Sequence, residues 1–145
     1  MFNKRVKLLG NCITMIKNFS VDLAYCNETV FMITEKAAKC DELKDLTFLA
    51  QVSEYTDGDF SVNWSDAVDM FLIKSALHKS DADLLKNFGN KLGTTDCNHQ
   101  TRLCDEYIKR FEERYKYEKD KLSERVRLCK AIAGISVLTA FVILI

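Results

Sequence analysis

No proline interrupts residues 97–145, and this stretch holds a single glycine, Gly134. Nothing in it forces a helix to stop. One continuous helix of up to 49 residues is therefore predicted, about 74 Å long at ~1.5 Å per residue. The whole chain of 145 residues has no proline and five glycines, which leaves little turn chemistry for a sandwich of short strands. The fold class that follows is all-α: a helical bundle of about five to six helices, from which the long C-terminal helix stands out.

The apolar pattern divides the rest. Val6, Leu8, Leu9, Ile13, Ile16 and Phe19 recur at mixed three- and four-residue spacings among Lys4, Lys7 and Lys17, the pattern of a helix with one buried stripe. Leu23, Cys26 and Val30 extend it, and a break at Asn27 gives either one long bent helix or two helices across 3–39. A third helix is read over 41–55 on Leu43, Leu46, Leu49 and Val52. Thr56, Asp57, Gly58 and Asp59 make a loop. The fourth helix carries Val62, Trp64, Val68, Phe71, Leu72 and Leu77, with its cap near Ser61 or Asn63. Ser80 with Asp83 three residues on opens the fifth, which ends at Gly93. Along the last helix the stripe Cys104, Ile108, Phe111, Tyr115, Leu122 and Cys129 is broken by Glu118 and Arg125 at seam positions. Charges alternate in sign from 112 to 127, as on a solvated helix face.

The final fifteen residues, 131–145, carry no charge, and only Ser136 and Thr139 break their apolar character. They reach about 22 Å, or about 27 Å counted from Leu128, against a hydrocarbon core of ~30 Å. The expectation is a short transmembrane segment, with Lys130 snorkelling and the bilayer thinning locally. The chain then divides into a cytoplasmic helical bundle over 1–128 and a membrane anchor over 129–145. Arg125, Arg127 and Lys130 form a cationic membrane flank, which favours the cytoplasmic side for the bundle.

Chemistry is scarce. The charges balance, 21 Lys and Arg against 21 Asp and Glu, so no cationic field favours nucleic acid. His78 and His99 are the two histidines, and neither stands in a catalytic constellation. Cys97, His99 and Cys104 cannot converge on one metal ion along a helix, where positions two apart lie on opposite sides. A calcium loop starting at Asp57 places Val68 where a bidentate acid is required. No glycine-rich phosphate loop, GxSxG elbow or HExxH is present. The six cysteines include no CxxC pair, and disulfides are not expected. The chain reads as a protein that binds: no enzyme, no cofactor and no metal.

The most distinctive run is Leu85, Phe88, Gly89, Leu92, Gly93, Thr95, Asp96 and Gln100. Phe88 and Leu92 lie one helical turn apart and should enter the core, while Gly89 lets a neighbour approach closely. Gly93 can end the helix in a left-handed conformation and Asp96 can cap the next one. The series is a tight helix–turn–helix corner, and also a candidate partner contact. It resembles the L-x-x-F-G-x-x-L-G-x-[ST]-D-x-x-x-Q core of the stage III sporulation protein AB family, followed by that family's long charged helix and short apolar tail. Trp64 with Ala67, Val68 and Phe71 falls where the family carries a tryptophan-containing helix. The family generally opens on a membrane segment, whereas here Met1 already lies in a basic amphipathic stretch.

The resemblance implies a non-enzymatic, membrane-anchored platform or assembly subunit of a sporulation secretion-like complex, similar to the platform protein of type II secretion and type IV pilus machines. It implies a place in the mother-cell membrane around the forespore. The partners it implies are a secretion-type ATPase and other sporulation channel subunits. The alternative is a tail-anchored coiled-coil tether or adaptor that self-associates through Cys104, Ile108, Phe111 and Tyr115.

Overall fold

The computed structural model describes residues 3–25, 28–54, 58–92 and 96–144, with backbone alone at residue 97 and from 135 onward. Among them are six α-helices: α1 Lys4–Ala24, α2 Val30–Ala38, α3 Phe48–Glu54, α4 Phe60–Lys74, α5 Lys79–Leu92 and α6 Cys97–Leu144. A 3₁₀ turn, Asp41–Leu43, precedes α3.

Local chemistry sets most of the starts. The Asn3 side chain accepts from the amides of Arg5 and Val6, and Thr29 accepts from Met32. These two caps resolve the first stretch into two helices. The predicted third helix is shorter, because the backbone tightens into the 3₁₀ turn before resuming as α3. Gly58, at φ 102°, makes the left-handed turn that delivers Asp59 as the α4 cap, bonded to the Ser61 amide. The cap thus lies ahead of Ser61 and Asn63. At α5 the cap is His78. Asp81 returns from the third helical position to accept the His78 amide at 2.9 Å, the reciprocal half of a capping box. The predicted Ser80 and Asp83 pair is displaced by two residues.

The core gathers around Trp64, which is fully buried with Phe19, Phe48, Phe88, Tyr107 and Phe111. Its ring meets Phe48 edge-on at 5.1 Å and Phe88 at 6.2 Å, spacings that suit aromatic quadrupoles. α4 and α5 run antiparallel, with Lys86 paired to Asp69 along their length and Ser61 bonded to Asn90 near one end. The first half of α6 lies antiparallel to α1. Arg5 pairs with Glu118, Gly10 faces Tyr115, and Lys17 lies 3.7 Å from Glu112.

That packing corrects the tether reading. Cys104 and Phe111 are fully buried inside the chain's own bundle, and Ile108 and Tyr115 pack against its core. The stripe that a coiled-coil partner would need is occupied by α1.

The membrane reading is corrected as well. No helix among the described residues is long and apolar enough to cross a membrane. The physical reason is charge: Arg125, Arg127 and Lys130 break the apolar character of α6 ahead of residue 131. The transmembrane end of the fold, the anchor role and the mother-cell membrane location are withdrawn with it. So is the membrane as a partner. Among residues 97–134 Leu122 is the last partly covered one with a described side chain, and every residue from 123 to 134 is exposed, including Arg125, Arg127 and Lys130.

Candidate functional site

The corner series is an internal clamp joining α4, α5 and α6. Leu85, Phe88 and Leu92 are buried, at 0%, 0% and 1% exposure, so their side chains offer nothing to a partner. The Trp64 indole N–H donates to the backbone carbonyl of Leu85 at 2.7 Å, and the indole packs against Gly89. A Cβ at Gly89 would stand 2.1 Å from Trp64 Cδ1 and 2.3 Å from its Nε1. Glycine is therefore required at this position by the tryptophan seated on it.

Next in the series, the Gln100 side-chain amide donates to the carbonyl of Leu92 at 3.0 Å. Leu92 is the last residue of α5, so this bond satisfies one of the carbonyls that a helix end leaves open. Asp96 accepts the His99 amide at 3.0 Å and meets the His99 ring at Nδ1, which starts α6. Hydrogen bonds from the His99 side chain and amide hold the Asp96 carboxyl below the usual range. Phe88 meets Tyr107 at a tilt, with ring centroids 5.4 Å apart, and Arg110 lies over that ring at 5.0 Å. Gly93 and Thr95 lie outside the described residues.

A second cluster was invisible in the sequence. Asp81 is fully buried and receives Arg5 Nε at 2.8 Å, Arg5 Nη2 at 3.1 Å, Arg114 Nη1 at 2.9 Å and the His78 amide. Arg5 continues to Glu118. Burial alone would raise the Asp81 carboxyl, but the hydrogen bonds from Arg5, His78 and Arg114 outweigh it and hold it below the usual range. One carboxylate thus ties α1, the start of α5 and α6. The groups are matched in charge and directed at each other, with no space for a substrate between them.

Cys12, Cys40, Cys104 and Cys129 are free thiols. Burial raises Cys12 and pushes Cys104 up to about 12, so neither serves as a nucleophile near neutral pH. Among the described residues no group of His, Cys, Asp and Glu could hold a metal ion. His78 contributes its backbone to a cap, and His99 sits exposed on a helix end.

Such a bundle has its motif built into its own joints. The model of the family described as Stage III sporulation protein AB matches residues 1–145, and the chain belongs to that family. Proteins of this family are non-catalytic. No curated protein and no solved structure matches the chain.

Proposed function

We propose that the chain is a non-catalytic, protein-binding subunit serving sporulation, a rigid helical bundle that acts by contact. The observation that carries this reading is the use of the family's own motif. Leu85, Phe88, Gly89, Leu92, Asp96 and Gln100 make internal contacts that fix how α4, α5 and α6 meet. A sequence signature used for shape supports a protein whose task is to present surfaces at fixed angles. In this proposal the corner is a structural pivot, and the partner surface lies elsewhere on the bundle.

The test is complementation of a deletion in a sporulating host. His78→Ala/His99→Ala is expected to sporulate like wild type, and Gly89→Leu is expected to fail. Loss of sporulation in the histidine variant at normal protein level and melting temperature would replace this reading with a catalytic one.

A further inference from the structure

The start of α1 and the end of α4 border an open groove of about 510 Å³, lined among others by Lys4, Lys7, Leu8, Asp45, Phe71 and Lys74. Leu8, Phe71 and Ala76 supply the apolar part of its lining, and Lys4, Lys7 and Lys74 the cationic part. Lys7 pairs with Asp45 at 2.7 Å, and hydrogen bonding to Lys7, with Lys44 also nearby, holds that aspartate below the usual carboxylate range. The one acid in the lining is thus already matched. No carboxylate among the described residues pairs with Lys4 or Lys74. Across Thr47, Phe71 and Lys74 the groove adjoins a smaller pocket of about 70 Å³ beside Phe48, Gln51 and Met70. Met70 and Ile73, 51% and 84% exposed, share the outer face of α4 with Lys74 at three- and four-residue spacing.

We propose that this trough is the docking site for an acidic segment of a partner protein, whose apolar side chains enter it while its carboxylates meet Lys4 and Lys74. The inference rests on the reading of the chain as a protein-binding subunit and names the chemistry of one partner. Charge complementarity selects the acidic partner. The elongation from one pocket into the next, with exposed apolar side chains along the rim, favours a chain segment over a compact anion.

A random dodecapeptide library displayed on phage and panned against the full chain tests it. The expected winners interleave Glu or Asp with Leu, Ile or Phe. As free labelled peptides they should bind Lys4→Glu/Lys74→Glu at least about tenfold more weakly, and bind wild type more weakly as ionic strength rises. Circular dichroism melts establish that the variant is folded. Should the double variant unfold, Lys4→Glu alone carries the comparison, since an acid is welcome in the first turn of a helix. Winners without acids, winners that bind both proteins equally, or no enrichment overturn the proposal. So does a second copy as occupant, seen as self-association in sedimentation that Lys4→Glu abolishes. Because the Lys4→Glu/Lys74→Glu comparison reads the groove alone, its failure beside an intact Gly89 phenotype leaves a protein that binds through another surface.

Discussion

Arg5 grips Asp81 with two nitrogens, Nε on Oδ2 at 2.8 Å and Nη2 on Oδ1 at 3.1 Å, across 76 positions of sequence. Arg114 completes the cluster from α6 at 2.9 Å. Removing one member of a buried charge cluster leaves the others desolvated and unmatched, which costs about 3–5 kcal/mol. Asp81→Ala should therefore lose about that much stability at neutral pH, read from urea denaturation. A loss below about 1 kcal/mol would mean that the cluster is effectively solvated.

The same carboxylate gives a pH dependence. It titrates lower in the folded chain than in the unfolded one, so the folded state binds fewer protons as pH falls. Its stabilisation is complete above the unfolded value of ~4 and is lost as pH drops through the folded value. Asp45 and Asp96 are held low as well and act in the same direction. Urea midpoints of the wild type should fall steeply below about pH 4, and Asp81→Asn should show a shallower fall. Equal slopes would contradict the assignment.

The joint between α5 and α6 depends on two side chains that reach backbone. Gln100→Ala removes the donor to Leu92 and should cost about 0.5–1.5 kcal/mol. Asp96→Ala removes a helix cap and should cost about 0.5–2 kcal/mol. Thermal melts beside the exposed control Lys116→Ala check both, and control-like behaviour of either would remove it from the joint.

Thiol labelling reports on the two halves of α6. Cys104 is buried against the bundle with its thiol pushed up to about 12, whereas Cys129 is exposed. Iodoacetamide at mildly alkaline pH should alkylate Cys129 rapidly and leave Cys12 and Cys104 unmodified until denaturant is added. Prompt labelling of Cys104 in the native protein would show that α1 does not cover α6.

How much of this was legible follows from the range of each interaction. The long final helix and the burial of Phe88 and Leu92 are periodic, local signals, and both are visible in the sequence. The α4 and α5 caps fell one or more residues from their predicted places, because several Ser, Asn and Asp side chains compete there and tertiary packing selects among them. Asp81 had a local signal as a helix-start acid, but its pairing with Arg5 and Arg114 spans 76 and 33 positions and leaves no periodic trace. Gly89 could be read as a site of close approach, but not that Trp64 is the neighbour. The uncharged tail was read as a spanning segment, whereas no helix among the described residues is long and apolar enough to cross a membrane.

The central claim is that the family motif is an internal clamp whose glycine exists to seat Trp64. A double-mutant cycle on Gly89→Ala and Trp64→Ala, with sucrose in all four samples to keep Trp64→Ala folded, measures this directly. In the wild-type background Gly89→Ala should cost about 1–3 kcal/mol, because its Cβ collides with the indole. With Trp64 absent the same change should be neutral or stabilise by up to ~1 kcal/mol through helix propensity. Equal effects in the two backgrounds, or a more stable Gly89→Ala with Trp64 present, would contradict the account.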